Sequence, residues 1–294
     1  MKRQRAGVLN VAYYESGPIT GEPIILLHGF PYDILAFEQV VRQLSHLGKR
    51  CIVPYLRGYG PTRFLSPATP RSGEQAALGA DLIALMDALH IDRAILAGFD
   101  WGGRAACVVS ALWPERVRGL LSCGSGYNIQ DIANAGEPIT PEQEFRFWYQ
   151  YYLHSERGHA GLLRTRQDFC HLLWSLWSPS WRFDAITFAN TSTSFNNPDF
   201  VEVVVHSYRH RFGLVGGDPS FDLIERRLAT QPKISVPTIV LQGKDDGVDP
   251  PTMTDDRNPH FTGFYQHRLL SAVGHNVPQE APDVFVETLL ELSK

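Results

Sequence analysis

The stretch Ala94-Ile95-Leu96-Ala97-Gly98-Phe99-Asp100-Trp101-Gly102-Gly103 decides how the rest of the chain is read. A short apolar run meets a Gly-x-Asp-x-Gly turn, and a small-residue helix pattern, Arg104-Ala105-Ala106-Cys107-Val108-Val109, follows. Strand, sharp turn and helix is the setting that lifts a nucleophile out of a sheet, most often written Gly-x-Ser-x-Gly. Glycines flank the centre because the turn is strained and the backbone passes close to neighbouring strands. The central residue here is Asp100, not Ser. A carboxylate is already ionised at neutral pH. It can attack a tetrahedral carbon, expel a leaving group and stay bound as an ester. The competing reading of the same residues is a helix-capping Asp in a glycine-rich turn.

The chain has 294 residues, within reach of one α/β domain with an insertion. Its formal net charge is -4 with both signs scattered, which gives no footing for a nucleic-acid partner or a membrane surface. Cys51, Cys107, Cys123 and Cys170 lack C-x-x-C spacing, so buried free thiols are expected, not disulfides or metal ligands. The start, Met1-Lys2-Arg3-Gln4-Arg5, is basic, but no apolar h-region follows it, and no apolar run approaches transmembrane length. The expectation is a cytoplasmic, soluble protein, monomeric or homodimeric, that needs neither metal nor organic cofactor.

Outward from the elbow, short apolar runs alternate with helical patterns. Val8 to Tyr14, Ile24 to Leu27, Cys51 to Val53 and Val117 to Ser122 read as strands, the last three as strands buried on both faces. Ile34 to His46 reads as a helix. Ser72 with Gln75 reads as a capping box opening a second helix, with Leu78, Leu82, Leu85, Met86 and Leu89 on one face. This alternation predicts a mostly parallel sheet with helices on both faces. It stops after Tyr127. From 129 to 231 the chain reads as helices and loops rich in aromatics, among them Trp148, Trp174, Trp177 and Trp181. That composition predicts a helical cap over the end of the sheet where ligands bind. The expected organisation is therefore 1–128 core, 129–231 cap and 232–294 core. In the last part Pro237 to Leu241 and Tyr265 to Leu270 read as strands, and Pro282 to Leu292 as a closing helix.

Asp100, Asp246 and His275 each stand just after a strand, and in a parallel sheet such positions share one crevice. The order nucleophile, acid, histidine is that of an α/β-hydrolase triad. The chain resembles an α/β-hydrolase-fold enzyme of the epoxide hydrolase branch over essentially its whole length. His28-Gly29-Phe30-Pro31 is similar to that family's H-G-x-P oxyanion loop, and Gly98 to Gly103 to its Asp-bearing elbow. Gly243-x-x-Asp246 resembles its acid loop and Gly274-His275 its base. Asp245 is the rival for the acid role. The resemblance implies that the backbone N–H groups of Phe30 and Trp101 form an oxyanion hole, and that two cap tyrosines hold the epoxide oxygen of a small hydrophobic substrate.

The first tyrosine typically sits in a Tyr-Gln-x-Tyr-Phe-Gln type run; Trp148-Tyr149-Gln150-Tyr151-Tyr152 is similar, so Tyr149 takes that place, with Tyr151 and Tyr152 as fallbacks. Ser207-Tyr208-Arg209 resembles the second, which makes Tyr208 its candidate. Trp101, Trp148 and Tyr152 are expected to line the substrate site. Two departures bear on substrate range: Pro54-Tyr55-Leu56 stands where Pro-Asp-Leu/Met is usual, and Ser155 to Gly158 where Glu-Pro-Gly is common. Haloalkane and haloacetate dehalogenases share the fold and the Asp. The first usually hold halide with an Asn where this chain has Phe30; the second typically have Arg where it has Trp101, although Arg104 lies one turn on. A dehalogenase and a non-catalytic binding protein are the alternatives.

Overall fold

A computed structural model describes residues 1–251 and 258–294. In chain order the strands are β1 (Lys2–Ala6), β2 (Leu9–Ser16), β3 (Pro23–Leu27), β4 (Arg50–Pro54), β5 (Arg63–Phe64), β6 (Ala94–Gly98), β7 (Val117–Cys123), β8 (Thr238–Gly243) and β9 (Tyr265–Leu270). They form one sheet in the order β1-β2-β4-β3-β6-β7-β8-β9, with β5 on β2. Pairing is parallel from β4 to β9 and antiparallel at β1 and β2. The apolar runs explain the order. Every residue of β6 and β8 is buried, as central strands covered on both faces require. The edges are polar: β1 is the basic run Lys2-Arg3-Gln4-Arg5, tied to the sheet by Lys2–Glu15 at 2.5 Å. At the other edge, Arg268 of β9 pairs with Glu291. Charged edges discourage strand addition by another chain.

Helices α1 (Glu38–His46), α2 (Gln75–Ala88) and α3 (Asp100–Leu112) belong to the first half of the chain. The cap leaves the sheet after β7 and returns at β8, contributing α4 (Pro141–Arg146), α5 (Trp148–His154), α6 (Glu156–Trp177), α7 (Ala185–Ser192), α8 (Phe200–His210) and α9 (Asp222–Leu228). The chain closes with α10 (Val277–Glu280) and α11 (Pro282–Leu292). One helical layer is α2 on α3, the other α1 on α11. No strand interrupts residues 129–231. No helix of the described residues is long and apolar enough to cross a membrane. All four cysteines are buried and free.

The start of α2 corrects the capping-box expectation. The helix begins at Gln75 with Glu74 as N-cap, and the Ser72 hydroxyl donates to Glu74 Oε1 at 2.5 Å instead of capping the helix. The open N–H of Ala76 donates to Glu225 Oε1 of the cap at 3.0 Å. A carboxylate from α9, 149 residues away, thus does what a local serine was expected to do.

Candidate active site

Asp100 sits at φ +51, in the left-handed region, where the turn from β6 into α3 is sharpest. The turn can be this tight because Gly102 has no side chain: a Cβ there would lie 2.0 Å from the Leu27 carbonyl oxygen. Gly29 answers from the β3 loop, since its Cβ would stand 2.4 Å from that of Asp100. Such strain is kept where geometry serves function.

Phe30 N–H donates to Asp100 Oδ1 at 2.7 Å. Trp101 N–H belongs to the first turn of α3, whose N–H groups have no acceptor within the helix. The Phe30 loop is held by His28, whose Nε2 accepts from Leu56 N–H at 3.1 Å while Nδ1 donates to the Gly29 carbonyl. Burial pushes His28 down to about 4, so it is neutral at ordinary pH.

Asp100 Oδ2 faces the other way, 3.9 Å from His275 Nε2. His275 Nδ1 donates to Asp246 Oδ2 at 2.8 Å, and Asp246 Oδ1 accepts from Val248 and Asp249 N–H, both at 2.9 Å. Asp246, not Asp245, therefore orients the ring. Burial opposes charge on Asp100, but His275, Arg104 and the Phe30 N–H outweigh it and hold the carboxyl below its ordinary value. Burial also opposes the imidazolium, yet Asp246 and Asp100 together raise His275 well above its ordinary value. The His275 ring thus lies between two carboxyl groups, Asp246 on its Nδ1 and Asp100 facing its Nε2.

The His275 loop is clamped by residues that carried no sequence pattern. Ser178 Oγ accepts from His275 N–H at 3.0 Å and donates to Glu280 Oε1 at 2.7 Å. Glu280 also accepts from Gly274 and Asn276 N–H. The Trp177 carbonyl accepts from both Gly247 and His275, tying the acid and base loops to the end of α6.

The roof is aromatic. Tyr149 of α5 and Tyr208 of α8 are buried, edge to face, with ring centres 5.3 Å apart. Tyr208 meets Phe30 and Trp101, and Tyr149 meets Trp177, which in turn reaches His275. Both tyrosines feel the Asp100 charge, and burial pushes both hydroxyls up, so they are protonated donors. The Tyr208 hydroxyl finds no hydrogen-bond partner among the described residues, and Tyr149 accepts from Gln150 Nε2 at 3.1 Å. Asp100 keeps 14 % side-chain exposure beneath this roof.

The fallback tyrosines point away. Tyr151 donates to Glu144 and packs on Phe212. Tyr152 stacks on Phe169 with its hydroxyl over Gly161. Trp148 packs on the same Phe169. Trp148 and Tyr152, expected to line the substrate site, thus share Phe169 as a neighbour, Trp148 also meeting the Tyr149 ring, while the buried side of α5 is Tyr149, Gln150 and Leu153. Trp177 stands between Tyr149 and His275, while Trp174 stacks on Tyr32 and donates to the Pro31 carbonyl at 2.8 Å.

Among the described residues, Glu74, His210 and Glu225 bring ligand-type atoms within 4.8 Å of one another at the seam between α2 and the cap. Both carboxylates are already acceptors there, Glu74 for Asp218 N–H and Glu225 for Ala76 N–H and Gln75, so the group ties cap to core.

An acid on a sharp elbow, a histidine–carboxylate pair and backbone donors at the mouth of a parallel sheet make the layout of an α/β-hydrolase fold. The comparisons give the family: residues 22–282 match the model described as alpha/beta hydrolase fold, and the chain belongs to that family. Epoxide hydrolases 3, 2 and 1 of Siraitia grosvenorii are 36–38% identical over 103 to 138 residues, stretches spanning only 32–40% of their own length. Epoxide hydrolase A of Mycobacterium tuberculosis is 25% identical over 302 residues, covering 92% of this chain and 91% of that one. A crystal structure from Klebsiella pneumoniae, provisionally named an epoxide hydrolase, superposes with TM-score 0.97 at 47% identity, covering 99% and 96% of the two chains.

Proposed function

We propose that the chain is an epoxide hydrolase that works through a covalent ester on Asp100. The relatives' names support the activity, and one observation supports the chemistry. Two protonated tyrosines, Tyr149 and Tyr208, face each other within the field of the only partly exposed carboxylate of the elbow. An epoxide has a basic oxygen and adjacent electrophilic carbons, which matches donors on one side and a nucleophile on the other.

Asp100 Oδ2 attacks an epoxide carbon in line, and the C–O bond to the ring oxygen breaks. The tyrosine hydroxyls hold the developing alkoxide, and one supplies its proton. Oδ1 stays on the Phe30 N–H. Esterification cancels the Asp100 charge, so His275 loses one of the supports of its imidazolium and becomes able to act as base. Neutral His275, oriented by Asp246, takes a proton from water, which adds to the ester carbonyl. Phe30 and Trp101 N–H groups hold the tetrahedral oxyanion; losing one such donor costs roughly 3 kcal/mol of barrier. On collapse the leaving alkoxide takes the proton from His275, and the proton left on the new Asp100 carboxyl returns to the tyrosinate, which releases the diol and restores both groups.

The test is a single turnover of styrene oxide in H₂¹⁸O with enzyme in excess. Diol whose new oxygen is unlabelled took it from Asp100; labelled diol in that first turnover refutes the covalent route. One observation favours a second reading, a dehalogenase. The Trp101 indole N–H is buried without a partner among the described residues and is a ready donor to halide, although Phe30 offers no side-chain donor beside it. Halide release from a haloalkane or haloacetate without diol from any epoxide would favour that reading.

A further inference from the structure

The mechanism leaves one half-buried cation without a task. Arg211 caps the C-terminal end of α8, three residues beyond Tyr208. Its guanidinium carbon lies 4.4 Å from the centre of the Tyr208 ring, and Nη1 donates to Gln150 Oε1 at 3.2 Å. Nε and Nη2 are buried and find no hydrogen-bond partner among the described residues. Leaving guanidinium N–H groups out of water without an acceptor is costly.

Arg211 lines a cavity of about 630 Å³ between cap and core. Arg104, four residues past Asp100, lines it too and spends its Nε on the Asn128 carbonyl at 3.3 Å. The other ionisable groups of the wall are His154, Tyr151 and the carboxylates Asp131, Glu137 and Glu144. His154 is bound to the Tyr208 carbonyl, Glu144 accepts from Tyr151 and from Ile139 N–H, and Asp131 accepts from Asn134. Gln150 joins this cavity to the reacting centre: its Oε1 meets Arg211 while its Nε2 meets the Tyr149 hydroxyl at 3.1 Å. One amide side chain thus separates the guanidinium from the hydroxyl assigned to the epoxide oxygen.

We propose that Arg211, with Arg104 as a second positive charge, is a carboxylate-binding site for the substrate, so that the preferred epoxides carry a carboxylate within a few bonds of the ring. A carboxylate offers two parallel acceptors that match the guanidinium fork, and it meets the N–H groups the protein leaves open. The epoxide part of this statement rests on the function proposed above; the anion site does not.

The test uses the whole chain and a probe without an epoxide. Binding of hydrocinnamate is compared with that of its uncharged amide by calorimetry, on wild type, Arg211→Gln and Arg211→Lys, with melting temperatures as the folding control. The acid is expected to bind roughly tenfold to a hundredfold tighter than the amide. That preference should vanish in Arg211→Gln, persist in part in Arg211→Lys and shrink at high salt. Equal binding of acid and amide by the wild type overturns the proposal. So does an acid preference that survives Arg211→Gln. In a second arm, turnover of phenylglycidate is set against turnover of its amide, and the ratio of their specificity constants should fall by a similar factor in Arg211→Gln. Acid preference with no diol from any epoxide would sink the epoxide reading alone; diol from neutral epoxides with no acid preference would sink the anion site alone.

Discussion

Asp100, the first residue of α3, and Asp246 and His275 on loops follow β6, β8 and β9, whereas Tyr149, Tyr208 and Trp177 hang from α5, α8 and α6. The lower set is held by backbone: a left-handed φ at Asp100, the Phe30 N–H, and N–H groups of Val248, Asp249, Gly274 and Asn276 that fix Asp246 and Glu280. The upper set is held almost wholly by ring packing and a few side-chain hydrogen bonds. Backbone anchoring resists repacking, which suits the lower half to the bond-making role proposed for it. Packed aromatics tolerate change of shape, which suits the upper half to setting substrate preference under the same proposal.

The sharpest way to break this division is Asp100→Asn. Turnover should drop by at least about 10⁴-fold with the fold intact, as loss of a nucleophile does elsewhere. Equal loss from any cap substitution would end the distinction. Asp246→Asn comes next, with a loss of roughly 10³ to 10⁴ in turnover. The pH sign is specific. Asp246 raises His275, so without it His275 gives up its proton at lower pH, which an NMR titration of the ring would follow. The stability conferred by the imidazolium pair is present below the unfolded histidine value. It is lost as pH climbs through the folded one, and that loss should move to lower pH in the variant.

Tyr208→Phe and Tyr149→Phe should each slow ester formation by about 10² to 10³ while leaving ester hydrolysis unchanged, a split read by rapid-quench kinetics. A matching loss in the hydrolysis step would mean that the roof serves both halves of the reaction. The smallest effect is expected at Tyr152→Phe, because that hydroxyl lies over Gly161 on the far side of α5. Neither step should change measurably.

Much of the lower half is legible in the chain. The elbow, the H-G-F-P loop and the position of Asp246 follow from glycines and apolar runs, because a tight turn and a doubly covered strand each accept few residue types; His275 follows an edge strand, and the Gly274-His275 pair marks it. The basic strand β1 is not legible, since an edge strand with one wet side shows no apolar alternation. The same limit hid the clamp: Ser178 and Glu280 are 102 residues apart, and only packing makes them partners. In α5, periodicity does not separate three tyrosines on seven residues, and only the resemblance ranked Tyr149 first; the packing on each side is what buries Tyr149 and leaves Tyr151 and Tyr152 half-buried.

The sequence alone therefore determined the sheet order's raw material, the insertion of a helical cap and the three residues at the strand ends, because these depend on local sterics and on periodic burial. The tertiary structure alone decided that Trp177 stands between Tyr149 and His275, that Trp148 and Tyr152 pack on Phe169, that Glu225 caps α2, and that Arg211 lies against the Tyr208 ring. Each of those depends on which surfaces meet across more than a hundred residues or between cap helices, and no local pattern encodes such meetings.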